Sequence, residues 1–191
     1  TFVGYEQSSV TTRVSGLRHI YSEGKLDTDV EEVHEGDGVL VFLDETPFYA
    51  EAGGQVGDTG QIVGPNGVIR IEDTQSPRQG VIAHHGVVER GSINMQETVV
   101  ATIDTHRRRQ IARHHSATHL LHKALRETLG ENVVQKGSLV RPDYTTFDIP
   151  LDRAITNDEL KRINRLVTEK VRAGLENKTN IEPYADPVSR G

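Results

Sequence analysis

The sequence predicts an α+β fold, a small antiparallel β-barrel followed by an α+β module, and three observations carry that prediction. From residue 10 to about residue 104 the chain consists of short β-branched runs separated by turn residues, with no long helical pattern. At about Thr105 the apolar spacing changes to three and four, and it holds through Leu129. Beyond Gly130 come two strand-like runs and a second helical pattern, and this succession is that of an α+β module. The implied division is residues 1–104 for the barrel and 105–191 for the module, with the boundary between Asp104 and Arg107.

Each element has its own signal. Residues 10–14, 38–44 and 98–104 are rich in β-branched side chains and read as strands. Pro65-Asn66-Gly67 stands between the apolar runs 61–63 and 68–71, a hairpin signal, because Pro presets φ and Gly accepts a positive one. Residues 81–88 read as a further strand or strand pair. Several short strands at this spacing favour a small barrel. Asp104 or Thr105 is placed to cap the first helix, and Gly130 to stop it. Its apolar arc comprises Ala117, Leu120, Leu121, Ala124, Leu125 and Leu129. Residues 132–140 and 144–149 are expected as two strands joined by Arg141-Pro142-Asp143. Thr156-Asn157-Asp158-Glu159 opens a second helix, whose stripe is Leu160, Ile163, Leu166, Val167 and Val171 and whose stop is Gly174. The tail, residues 180–191, has no strong element and reads as cut within a domain.

Composition excludes some classes of function. The formal net charge of −6 is the wrong sign for a surface that coats nucleic acid by releasing counterions. With no cysteine there is neither a disulfide framework nor a thiolate ligand. No apolar run is long enough to span a bilayer as a helix. The start, Thr1-Phe2-Val3-Gly4-Tyr5, lacks an initiator Met and a signal-peptide layout, so the expectation is a piece of a longer cytoplasmic protein.

Three stretches could carry chemistry. On a helix, His115 and His119 stand one turn apart on one face, close enough to share a cation; the alternative is a pair of satisfied histidines on an amphipathic helix. Residues 46–60 hold Gly53, Gly54, Gly57 and Gly60. They form either a plain turn or a loop offering backbone N–H groups and the Gln55 side chain to a small polar substrate. His106-Arg107-Arg108-Arg109 is the densest basic cluster, and a charged first turn and an RNA contact are equally open.

Thr46-Pro47-Phe48-Tyr49-Ala50-Glu51 through Gly53-Gly54-Gln55-Val56-Gly57-Asp58, then His115-Ser116-Ala117-Thr118-His119-Leu120-Leu121, then Gln135-Lys136-Gly137-Ser138, in this order and spacing, closely resemble the editing domain of alanyl-tRNA synthetases. The likeness covers nearly the whole chain, and Phe2-Val3-Gly4-Tyr5 is similar to that domain's entry. It implies a barrel followed by the core fold shared with the editing domain of threonyl-tRNA synthetase, the second additional domain of those enzymes. It also implies zinc held by His115 and His119. In that family a later Cys-x-x-x-His completes the metal site; no such motif occurs here, so the chain is expected to stop before the site is complete. His84, His85 and His122 show no spacing that would replace those ligands. Two departures are visible: Ala52 where many relatives have Ser, and Thr145-Thr146-Phe147-Asp148-Ile149 in place of a more basic strand.

The implied reaction is hydrolysis of the ester that joins Ser or Gly to tRNA(Ala). A synthetic pocket sized for alanine rejects neither a smaller side chain nor one extra hydroxyl strongly, and a second hydrolytic sieve is the remedy. Thr46 is the candidate for contacting the serine hydroxyl, with Gln55 and the Gly54 backbone as orienting groups. Arg107, Arg108, Arg109 and Lys136 are the candidates for the acceptor end, chiefly through phosphates. Zinc is expected to organise the site or anchor the substrate beside an ordered water; zinc-bound hydroxide is the alternative nucleophile. Aminoacylation, with its ATP and magnesium, belongs by the same resemblance to the remaining domains of a parent synthetase. The alternatives are a free-standing trans-editing deacylase of the same superfamily and an inactive RNA-binding fragment. Because two imidazoles are few ligands for zinc, calorimetric titration of the chain is expected to show weak binding; nanomolar binding through His115 and His119 alone would contradict this reading.

Overall fold

A computed structural model describes residues 1–20 and 28–175. Strand β1 (Ser9–His19) carries the short β2 (Thr28–Asp29), and β3 (Glu32–His34) precedes β4 (Gly38–Leu43). Then come β5 (Gly60–Val63), β6 (Gly67–Arg78), β7 (Val81–Asn94) and β8 (Thr98–Ile103). Neighbours run antiparallel in the order β1-β4-β7-β6-β5-β8, and β8 returns to β1, with Ser9 opposite Thr102 and Arg13 opposite Thr98. This return pairing closes a six-stranded barrel, which leaves those strands no free edge. β2 and β3 attach outside this ring, to β1 and β7.

Period-two alternation builds the interior. Val39, Val41 and Leu43 of β4 and Val99, Ala101 and Ile103 of β8 face inward, while the residues between them are less buried. The expected β5–β6 hairpin forms with Val63 opposite Val68, its turn closed by Gly64 N–H to Gly67 O at 2.9 Å. Three strands run further than expected, and β6 reaches Arg78 although its apolar run ends at Ile71. β7 continues past residue 88 through a register shift that leaves Glu89 as the extra residue between Val88 and Arg90, and Gly91 beyond it sits at φ 69°. β1 extends to His19 through an irregularity between Val14 and Gly16.

Helix α1 (Thr105–Leu129) leaves the barrel directly after β8. Asp104 is its N-cap, accepting Arg107 N–H at 2.9 Å, and Gly130 ends it at φ 116°. Next come β9 (Gly137–Val140), β10 (Thr145–Asp148) and α2 (Asn157–Ala173). Of the expected strand 132–140, only the last four residues pair. A second core joins Ala124, Leu125, Val133 and Ile163, with Phe147 and Leu166 packed around them. Leu160 and Val171, expected inside, are 50% and 59% exposed. They lie about 60–80° round the helix from Ile163, on a flank that the layer formed by α1 and β10 does not reach. The reading of residues 180–191 falls outside the described residues. Among the described residues no helix is long and apolar enough to cross a membrane.

Thr156 caps α2 with a reciprocal capping box: Glu159 N–H donates to Thr156 Oγ1, and Thr156 N–H donates to Glu159 Oε2 at 2.8 Å. Thr156→Ala is expected to cost about 1 kcal/mol in urea unfolding. The loss should appear in α2 exchange protection, leaving barrel amides protected as before.

Candidate functional site

Residues 46–58 run from the end of β4 to the start of β5, and a set of contacts presses this loop against the second module. The first is polar and buried. Asp58, whose side chain is 2% exposed, forms an ion pair with Arg108 on the first turn of α1, and Arg108 Nε lies 2.9 Å from both carboxylate oxygens. The same guanidinium donates to Gly4 O at 3.1 Å and to Pro47 O at 3.0 Å, while Asp58 Oδ2 also accepts Tyr49 N–H at 2.8 Å. The second is backbone to backbone: Val140 N–H donates to Gly54 O at 2.7 Å, and Val56 N–H to Val140 O at 3.2 Å. Gly54 sits at φ 82°, and a Cβ there would lie 2.5 Å from the Ser138 carbonyl oxygen, so this approach requires glycine. The third is Gln55, only 7% exposed, whose Oε1 lies 2.7 Å from His115 Nδ1.

That third contact sets the polarity of the imidazole. An amide oxygen only accepts, so His115 donates through Nδ1–H and its neutral ring keeps a lone pair on Nε2. Burial first, and then the neighbouring His119, lower the His115 pKa from its ordinary value and favour this neutral form. His119 stacks on it, with ring centroids 5.2 Å apart and planes 20° apart. His119 is exposed and His115 half-buried. Two neighbouring imidazoles, one held by a carbonyl acceptor on its far nitrogen, fit half the donor set of a zinc site. Among the described residues no group of three or more His, Cys, Asp or Glu side chains is placed to hold a metal ion.

Thr46 belongs to a different part of the loop. It is 1% exposed, its Oγ1 accepts Phe48 N–H at 3.1 Å, and it lies 2.7 Å from His84 Nε2. Because His84 Nδ1 faces the Val41 carbonyl at 2.8 Å, Nδ1 carries the proton and Thr46 donates to Nε2. The structure therefore gives the Thr46 hydroxyl two internal partners. It brings Gly54, Gln55, His115, His119 and Ser138 together, and it places Thr46 beside His84. The basic residues divide in the same way. Arg107 Nη1 donates inward to Gly57 O at 2.8 Å and Arg108 is held by Asp58, whereas Arg109 and Lys136 are exposed.

Comparison with known proteins adds the family. The model for class II (A) tRNA synthetases matches residues 1–107. The chain belongs to this family. Its relatives include the alanine–tRNA ligase of Dechloromonas aromatica, 42% identical over 191 residues, which cover 100% of this chain and 21% of that protein. The enzyme of the same name from Roseiflexus castenholzii is 45% identical over 186 residues, 94% of this chain and 21% of that protein. That from Chloroflexus aurantiacus is 43% identical over 190 residues, again 100% and 21%. The chain thus spans about a fifth of the length of these curated relatives. The region matched by the class II synthetase model contains the barrel, the glycine loop and the cap of α1, and it ends before His115.

In this member of the family, His84 and Asp58 are what sequence reading missed. His84 shares an inward period-two face with Gly86 and Val88, so a polar side chain was bound for the interior and needed a partner. Burial pushes its pKa down to about 4. The unfolded chain therefore binds more protons than the native one between about pH 4 and 6.5, so this contribution is complete above 6.5 and is lost as pH falls toward 4. It amounts to about 3 kcal/mol. Urea unfolding across that window is expected to show stability rising with pH, and His84→Gln, which does not titrate, is expected to flatten the slope.

Proposed function

We propose that the chain is the editing module of an alanine–tRNA ligase, hydrolysing the ester of Ser- or Gly-tRNA(Ala). The observation that supports this reading most directly is the hydrogen bond from His115 Nδ1 to Gln55 Oε1, which joins the glycine loop to the His115–His119 pair. Its further support comes from the relatives, which are alanine–tRNA ligases. In this reading residues 1–104 supply the loop and residues 105–191 the histidines.

Gln55 holds the His115 ring, and Gly54 brings backbone close to Ser138, shaping the floor on which an aminoacylated terminus rests. Thr46 accepts from the serine hydroxyl through its remaining lone pair, its own proton being committed to His84. Reaching that lone pair requires the loop to open around Thr46, which is 1% exposed. Arg109 and Lys136 meet the acceptor-end phosphates, while Arg107 and Arg108 brace the loop. His115 and His119 would hold zinc together with ligands supplied outside the described residues. When bound, the metal supplies Lewis-acid polarisation at the ester or an anchor for the substrate's amino group. The chain's own groups orient the ester and shield it from bulk solvent. Attachment of alanine with ATP and magnesium belongs to the remaining domains of the parent protein, which works in the cytoplasm.

The test is deacylation of Ser-tRNA(Ala) by the full-length parent. The wild-type protein is expected to cleave this ester and spare Ala-tRNA(Ala). His115→Ala and Gln55→Ala are each expected to slow cleavage by about 10–100-fold or more while leaving alanine attachment intact. Wild-type protein that leaves the seryl ester whole, or variants that cleave it at the wild-type rate, would reject the proposal.

A further inference from the structure

The loop and the helix meet at two side-chain pairs, and their spacings correspond. Asp58 lies three residues after Gln55, whereas Arg108 lies seven residues before His115, so the loop runs antiparallel to the helix between the two pairs. Seven helical residues rise about 10.5 Å. Three residues of chain reach at most about 10–11 Å. Next to the first pair, Arg107 Nη1 holds Gly57 O at 2.8 Å, a second anchor for the Asp58 end of the segment. Such a segment, fixed at Asp58, has little freedom to slide along α1. Asp58 is also the more committed end. Its carboxylate is buried, it takes the Arg108 fork and the Tyr49 N–H, and that fork reaches two further chain segments at Gly4 and Pro47. The Gln55 side chain, by contrast, makes a single hydrogen bond to a half-buried ring, although the backbone on either side of it is bonded to Val140.

We infer that Asp58 and Arg108 are positioning residues that set the register of the glycine loop against α1 and thereby fix which ring nitrogen of His115 is left free. Neither residue touches a reacting atom. Their effect travels through Gln55, which the Val140 backbone bonds at Gly54 and Val56 hold against β9 and which Asp58 holds in register along α1. The inference rests on the editing proposal for its consequence in turnover, but not for its effect on His115. A planar guanidinium fork is required at position 108, since an ammonium cannot bond both carboxylate oxygens and two carbonyls in one plane.

Long-range proton–nitrogen NMR of the histidine rings, recorded on the chain at neutral pH, reads this directly. The wild-type chain is expected to show His115 with its proton on Nδ1 alone. Arg108→Lys, Asp58→Asn and Gln55→Ala are each expected to convert it to a mixture with Nε2–H. His84, pinned by Val41 and Thr46 on the barrel, serves as the internal control and is expected to keep its Nδ1–H signal in every variant. An unchanged His115 tautomer in folded Arg108→Lys and Asp58→Asn would overturn the inference. So would loss of the His84 signal in both, since the pair would then be a general stability element and not a register device. A mixed His115 tautomer in these variants, with a parent protein that leaves Ser-tRNA(Ala) intact, would uphold the positioning role and reject the editing reading alone.

Discussion

A carboxylate taken out of water needs a cation with it, and the Asp58–Arg108 pair is where that requirement shapes this molecule. Removing one member would leave the other as an uncompensated charge at a junction of four chain segments: the N-terminal stretch at Gly4, the Pro47 turn, the glycine loop and the first turn of α1. Two core clusters are otherwise distinct, one inside the barrel and one between the helices and the β9–β10 hairpin. The ion pair, the Val140–Gly54 backbone bonds and the Gln55–His115 contact join the barrel's loop to the second module.

The barrel makes this junction possible by being rigid where the loop leaves it. Closure through β8 and β1 satisfies the strand edges, and inward-facing branched side chains fill the interior. A glycine-rich loop would be costly in conformational entropy if it were free, but this one is anchored at both ends and along its length. The freedom of glycine is used at Gly54, where any side chain would meet the Ser138 backbone.

Histidine serves two opposite purposes within this frame. His84 is sealed in the barrel, neutral, with both ring nitrogens engaged, and it fixes the direction of the Thr46 hydroxyl. His115 is engaged on one nitrogen only, which leaves the other as a lone pair beside the exposed His119. Burial of both nitrogens makes the first residue structural, and the single acceptor leaves the second open to ligand chemistry.

By itself the sequence determined the fold class, both helices with their ends, and the strands of the barrel ring and the β9–β10 hairpin, but not β2 and β3 or how far β1, β6 and β7 run. Alternation, helical period and capping residues are local signals, so Asp104, Gly130, Thr156 and Gly174 could be placed without knowing any neighbour. It also marked residues 46–58 and the His115–His119 pair as the stretches that could carry chemistry. Only the tertiary structure decided the partners. Arg107 and Arg108 read as two more charges in a basic run until a loop some fifty residues away supplied Gly57 and Asp58 to meet them. The exposure of Leu160 and Val171 depended on how far α1 reaches across α2, and the role of His84 on a hydroxyl brought up by another segment. Periodicity reports which way a side chain faces, whereas what it faces is set by closure and packing between residues far apart in the chain.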